Sequence, residues 1–388
     1  MTTGYSAFKR IIVGKEETAG TAVKGSQYYY GTVQLTPEQS FYEPDEERAS
    51  IAMLHRATPT SKGAQWKLEG SLQFETFQIL GGMALRGGVE SKVVTAIAAA
   101  TGKAVARAVS SKAKEWKFVP NMANVNTPDT YTFRYGDNYR GYIGTHVLCK
   151  NLEMRFEMNN AVMISADLFG KFVEDAAPAT AYSTDPSPLP QTRTHDAVSQ
   201  QTDIFVMDPT NSALTEAAHV EEILAIQLDH VRNAASGTAP VDLSSNTADL
   251  GAGVNALTIT LPTGFEETRY MTGELDLSSY SEARRSFDLD FTFRHSATTQ
   301  GEYDKYKLGG VEGTRLMNII NTGPQIESIG SGASLYNYEF YVMCACIYIE
   351  SPQFFTDLNG DNGFSMKAKS IHDPTWNRDL RVNLINTG

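Results

Sequence analysis

The run Lys67-Leu68-Glu69-Gly70-Ser71-Leu72-Gln73-Phe74-Glu75 alternates with period two and then passes into the apolar segment Phe77-Gln78-Ile79-Leu80-Gly81-Gly82-Met83. Alternation of this kind belongs to a strand with one buried face, because successive side chains of a pleated strand point to opposite sides. The same plan returns at Ser286-Phe287-Asp288-Leu289-Asp290-Phe291-Thr292-Phe293-Arg294, which also alternates and then enters a polar-capped, helix-like segment. Each is followed by a Gly-rich stretch and further strands that end in a long β pair, from Val147 to Phe172 in the first half and from Tyr338 to Leu384 in the second. The chain reads as two copies of one β-rich domain.

Its 388 residues suit that reading, since domains of about 150 to 200 residues can each bury a core. The segment from Pro178 to Thr194, with Pro186, Pro188 and Pro190 among Ala, Ser and Thr, can neither pair as strand nor run as helix. The expected division is a first domain over 1–177, a linker over 178–200 and a second domain over 201–388. Hydrophobic residues at 41% and charged ones at 20% predict a folded globular protein. No apolar run approaches the roughly 20 residues of a membrane span, and the basic N-terminus has no apolar stretch of signal-peptide length behind it. The formal charge of −12 argues against a protein that grips nucleic acid, because neutralised phosphates supply most of such affinity. It suits a surface past which DNA must move without sticking, and equally an ordinary soluble protein.

The clearest strand is Leu148 to Met158, with Leu148, Leu152, Met154, Phe156 and Met158 on one face and Asn151, Glu153, Arg155 and Glu157 on the other; Lys150 breaks the apolar row. Asn159-Asn160 is a turn, after which Val162, Ile164, Ala166 and Leu168 continue the alternation. Phe8 to Val13 reads as an edge strand or an arm, Ile223 to Leu228 and Leu257 to Leu261 as strands, and Ala234 to Asn255 as a long polar loop. Phe41-Tyr42 and Ile51 to Leu54 flank a charged turn at Pro44-Asp45-Glu46-Glu47-Arg48, and Val93 to Val109 is an Ala-rich insertion without a clear stripe. Tyr336 to Ile349 is apolar on both faces and must be covered on both.

Patterns that carry chemistry are missing. Asp357 to Gly363 resembles a calcium loop, but Asn362 stands at the glycine position and Ala368 at the bidentate glutamate position, so a turn between strands is the better reading. The seven histidines keep no ligand spacing with one another or with Cys149, Cys344 and Cys346, whose thiols sit in apolar strands as small hydrophobes. No nucleophile elbow, phosphate loop or dinucleotide fingerprint is present. The expectation is a protein without catalysis, cofactor or metal; paired carboxylates on strand faces arise readily from solvated alternation.

Three stretches carry a resemblance to a known family: Gly14-Lys15-Glu16-Glu17-Thr18-Ala19-Gly20-Thr21-Ala22-Val23, Phe41-Tyr42-Glu43-Pro44-Asp45-Glu46, and Leu68-Glu69-Gly70-Ser71-Leu72 leading into a helix. In order and spacing, together with the hairpin ending Val162-Met163-Ile164-Ser165-Ala166-Asp167-Leu168-Phe169-Gly170-Lys171, they resemble the tail tube (major tail) proteins of long-tailed bacteriophages over roughly residues 10 to 175. The resemblance implies a mainly β, β-rich α+β fold: two tandem β-sandwich or partial-barrel domains, each with a short flanking helix. Inner sheets of neighbours would join into a lumen wall and rings would stack into a tube. A two-domain subunit would need three chains for a pseudo-sixfold ring, a homotrimer in the virion tail, assembled in the host cytoplasm.

The implied partners are other copies of the chain, the tape measure, terminator and distal tail proteins, and DNA in non-adhesive passage. Candidate lumen positions are Lys67, Glu69, Ser71, Gln73, Asn151, Glu153, Arg155 and Glu157, with Asp288, Asp290 and Thr292 in the second copy; each faces either a lumen or bulk water. Glu43, Asp45, Glu46, Glu47 and Arg48 form a candidate ring-contact loop, alongside the N-terminal arm and the loop from Ala234 to Asn255. The alternatives are another ring-forming tail component, such as a terminator, baseplate or contractile-tail tube protein, or a β-sandwich carbohydrate-binding protein or glycosidase using Tyr28-Tyr29-Tyr30.

Overall fold

The computed structural model describes residues 9–25, 27–44, 56–74, 76–85, 92–93, 114–118, 120, 127–137, 140–157, 161–176, 212–215, 254–271, 273–308, 314–329, 334–356, 362–372 and 379–386. The first-half strands are β1 (Arg10–Lys15), β2 (Gln27–Tyr28), β3 (Thr32–Tyr42), β4 (Thr58–Ser71), β5 (Lys92–Val93), β6 (Lys114–Phe118), β7 (Tyr131–Gly136), β8 (Gly141–Glu157), β9 (Met163–Gly170) and β10 (Glu174–Ala176). Those of the second half are β11 (Ser212–Thr215), β12 (Val254–Pro262), β13 (Phe265–Thr268), β14 (Ser279–Glu282), β15 (Asp288–Arg294), β16 (Thr314–Ile329), β17 (Ser334–Tyr348), β18 (Gln353–Thr356), β19 (Asn362–Ser370) and β20 (Leu380–Asn386). Helix α1 (Phe77–Ala84) follows β4, and helix α2 (Ala297–Leu308) follows β15. The fold is mainly β, with antiparallel sheets and few helices.

An antiparallel sheet runs in the order β3-β4-β9-β8-β12-β15-β19-β18. Behind it, the first part of β8 turns into a second sheet with β1, β2, β7 and β10, while β17 carries β16, β11 and β20. The pairings of the first half recur in the second. β3–β4–β9 matches β12–β15–β19, β1–β7–β8 matches β11–β16–β17, and β20 lies along β17 as β10 lies along β8. The long strand β8 corresponds to β17 and β18 together, which follow the same flank of β19 on either side of a short irregular stretch.

Among the described residues two strand pairings join the halves. Along the first, β8 pairs with β12 from Ala256↔Glu157 to Pro262↔Asn151; along the second, β20 pairs with β6 from Val382↔Phe118 to Asn386↔Lys114. One apolar core spans both halves, with Trp66, Phe74, Phe77, Met154 and Leu168 beside Ile259, Leu289, Phe291, Phe340 and Leu384. Phe77 of α1 meets Phe340 at 4.8 Å and Phe118 at 5.9 Å between ring centroids. The two adjacent glycines of α1 have a packing reason: a Cβ on Gly81 would stand 2.9 Å from the Phe118 ring, and one on Gly82 2.9 Å from the Tyr131 hydroxyl. Asn386 fastens the last strand, donating to the Phe74 carbonyl at 3.1 Å and accepting from the Trp116 indole at 2.7 Å. Helix α2 begins at a reciprocal cap, in which Thr299 N–H reaches Ser296 Oγ and Ser296 N–H reaches Thr299 Oγ1.

Two sequence expectations change. Arg10 to Val13 is not at an edge: β1 lies between β2 and β7, and Ile11, Ile12 and Val13 are buried. Lys150 is the extra residue of a β-bulge, since Cys149 and Asn151 sit opposite the adjacent residues Leu168 and Asp167. A bulge reverses the phase of alternation. Val147 and Cys149 therefore join Leu152, Met154 and Phe156 in the main core, whereas Leu148 packs on the other side with Phe169, Phe265 and Leu277. The arm at 1–8, the Asn159-Asn160 turn, the linker at 178–200, the strand expected at Ile223 to Leu228, most of the loop from Ala234 to Asn255 and nearly all of the Ala-rich insertion lie outside the described residues.

Candidate assembly surface

Directly opposite residues of an antiparallel pair project to the same side, so the candidate polar positions can be followed across the sheet rung by rung. One row reads Glu69–Ser165–Glu153–Thr260–Asp288–Lys369. The next reads Ser71–Met163–Arg155–Thr258–Asp290–Lys367, and Glu157–Ala256–Thr292–Ser365 follows. Lys67, Asp167 and Asn151 form the row on the other flank. Candidates from the two halves thus occupy one face of one continuous sheet. Gln73 is the exception: β4 ends at Ser71, and Gln73 is 4% exposed with its carbonyl accepting from Thr76 and Phe77. The chain has left the pleat there, so its alternation no longer reports on the polar face.

The face is charged and internally paired. Lys67 bridges Glu69 at 2.7 Å, Lys369 stands 4.0 Å from Asp288, Lys367 lies 3.5 Å from Glu350, and Arg155 pairs with Glu157. Hydrogen bonding to Glu69 is the largest cause of the raised Lys67 pKa, so that ammonium is held charged and in place. Along these rows the acids Glu69, Glu153, Glu157, Asp167, Asp288 and Asp290 exceed the bases Lys67, Arg155, Lys367 and Lys369. The Asp290 pKa is raised: partial desolvation is the main cause, Lys367 opposes it, and Asp288 and Glu350 add smaller contributions.

At the β8–β12 seam Leu152, Met154, Phe156, Leu257, Ile259 and Leu261 are all at most 5% exposed. Burying an aliphatic or aromatic side chain of this size contributes about 1.5 to 3 kcal/mol, so the seam is an integral part of the core. Past its end, Thr263 donates to the Cys149 carbonyl at 2.7 Å, and the β13–β14 hairpin folds over Leu148 and Phe169 with Phe265 and Leu277 beneath it. Arg269 reaches the Lys62 carbonyl at 3.1 Å, and Gln65 donates to Glu267 at 3.2 Å.

The two ends of the sheet contrast with the seam. β3 is exposed or half-buried along its whole length, with Phe41 at 52% and Tyr42 at 59%, and at the far end Ile349, Phe354 and Phe355 are open at 49%, 62% and 37%. Sequence alternation located the polar face but did not single out these edges; the signal available was the apolar-aromatic content of Phe41-Tyr42 and Phe354-Phe355 in otherwise polar surroundings. Of the candidate ring-contact loop, Glu43 is exposed at the tip of β3, and Asp45, Glu46, Glu47 and Arg48 lie outside the described residues. Among the described residues no cluster of three or more His, Cys, Asp or Glu side chains could hold a metal ion. Burial raises the Cys149 pKa, and hydrogen bonding to Cys346 is the leading cause of the raised Cys344 pKa, so both thiols stay protonated and unreactive.

No protein-family model matches the chain, and no curated protein matches it. Among solved structures, the porin OmpF of Salmonella typhi in complex with daunomycin aligns over 93% of this chain and 95% of its own at 9% identity, with a TM-score of 0.09, which is no shared fold.

Proposed function

We propose that this protein is a structural subunit that assembles by sheet extension into stacked rings, forming the tail tube through which a long-tailed bacteriophage delivers DNA. One observation carries the reading: the chain already contains two equivalent four-strand units, joined edge to edge through β8 and β12, with a further edge at each end that has no strand partner among the described residues. A sheet that adds equivalent units edge to edge either grows without limit or closes, and closure removes the exposed edges that would otherwise aggregate. Three chains would bring six units into one ring. The continuous polar face would then line the lumen, where its surplus of carboxylates repels phosphate and its cations are held by neighbouring acids.

The test is negative-stain electron microscopy and sedimentation of the purified chain over a range of concentrations. Hollow tubes with a threefold repeat are expected, and a particle that stays monomeric throughout overturns the proposal. In tubes, the triple change Glu69→Lys, Glu153→Lys and Asp290→Lys should leave assembly intact and slow DNA passage. Unchanged passage would remove these residues from the lumen.

A further inference from the structure

The two open edges are complementary in a way that fixes how one copy meets the next, and the internal seam supplies the template. Resting on the self-assembly proposed above, we infer that β3 of one chain pairs antiparallel with β18 of a second copy in the register of the β8–β12 seam, placing Leu35 opposite Phe354.

The register follows from matching landmarks. On the first half Cys149 faces Leu168 of β9, and on the second half Tyr348 faces Ala368 of β19. β4 makes its last rung with β9 at Ser71↔Met163, and β15 makes its last rung with β19 at Arg294↔Gly363. These landmarks set Met163 against Gly363, and hence Ile164 against Phe364 and Met154 against Phe354. Counting back along β4 and β15 sets Trp66 against Leu289, and so Leu35 against Ile259. In the seam Met154 faces Ile259 and Glu153 faces Thr260; at the open edges the corresponding pairs are Phe354 with Leu35 and Gln353 with Thr36.

Side-chain orientation agrees with this register. Phe354 lies on the core side of the sheet, 5.9 Å from the Phe364 ring and 5.8 Å from that of Tyr303, yet is 62% exposed. Val33 and Leu35 are core-side residues of β3 that are only partly covered. An open hollow edged by His295, Phe354, Phe355, Asn362 and Gly363 marks the place a partner's β3 would fill. Joining the edges continues the core across the boundary as Met154 and Ile259 do within the chain. Pro37 has no N–H to offer, and the four rungs from Val33 to Thr36 precede it.

Beyond the strand, Phe41 corresponds to Phe265. Phe265 is buried on Leu148 of the other half; the counterpart of Leu148 is Ile347 near the end of β17, with the exposed Ile349 just beyond the strand, and Phe41 packs there in the same manner. The new joint differs from the seam in one support among the described residues. Within the chain β20 is clasped by β6, whereas β10, its counterpart, has β8 as its one strand partner among the described residues.

Two cysteines at directly opposite positions stand within disulfide reach, while Thr36 and Gln353 of one chain lie seven strands apart, about 34 Å along the sheet. Oxidation of full-length Thr36→Cys/Gln353→Cys should give a ladder of linked chains on denaturing gels, the native Cys149, Cys344 and Cys346 being buried. The Thr36→Cys/Thr356→Cys control, three residues out of register, should lose the ladder. Leu35→Asp and Phe354→Asp should each abolish sedimenting assemblies while leaving a folded monomer with a cooperative melt. Tubes without register-specific linkage would overturn this joint and leave the tube reading standing. Linked rings that never stack would keep the joint and sink the tube, and a monomer without linkage at any concentration would overturn both.

Discussion

The seam between β8 and β12 and the open edges of β3 and β18 are built from the same kind of strand, yet one is sealed and the others are bare. At the seam Met154 and Ile259 are 2% and 1% exposed, while Phe354 at the far edge is 62% exposed. Composition does not separate β3 from the seam strands, since Thr32 to Thr36 alternates polar and apolar residues as they do. The difference lies in whether the partner is supplied by the same chain. A tandem repeat makes this legible: one internal joint displays the geometry that the terminal edges have yet to adopt, and stability measurements on the two should diverge in a predictable way.

The widest divergence is expected beneath the β13–β14 hairpin. Phe265→Ala removes a fully buried ring and should cost about 3 to 5 kcal/mol in urea unfolding, whereas Phe41→Ala at the corresponding open position should cost the monomer less than about 0.5 kcal/mol. Equal losses would mean that Phe41 already has a partner inside the chain. Next comes the seam. Ile259→Ala should destabilise by about 2 to 5 kcal/mol, and Leu35→Ala, half-buried at the edge, by under about 1 kcal/mol until assembly covers it. The comparison sharpens if the cost of Leu35→Ala rises in assembled material.

Alternation made most of the sheet legible in advance. β4, β9, β12 and β15 each bury every second residue, and the helices fall where the pattern breaks after β4 and β15. It failed wherever the phase changes without notice. Lys150 within an apolar row was the visible sign of a bulge, and reading it as a blemish put Leu148 on the wrong face. Gln73 kept the alternation on paper after the strand had ended. Partner choice has no local code either: β12 joins β8 across a long stretch of chain, and β1 is interior because β7 and the two residues of β2 flank it. The polar rows were therefore visible half by half, but their union into one face was not.

That union supplies the smallest and most discriminating effect, at Asp290. Its carboxylate lies in a row that crosses the seam, between Thr258 of β12 and Lys367 of β19, with Asp288 and Glu350 nearby. A folded-state pKa above the ordinary carboxylate value means that the native protein takes up this proton more readily than the unfolded chain. The ionised group therefore opposes folding at neutral pH, and its penalty is relieved as pH falls through the raised pKa. Asp290→Asn should stabilise slightly at pH 7, by less than about 0.5 kcal/mol because the side chain is exposed and screened. The gain should vanish below about pH 3.5, where aspartate is protonated in both states. A stability loss at pH 7 would mean that Lys367 outweighs the acids around it, and the surplus of negative charge on this face would then no longer be felt at its centre.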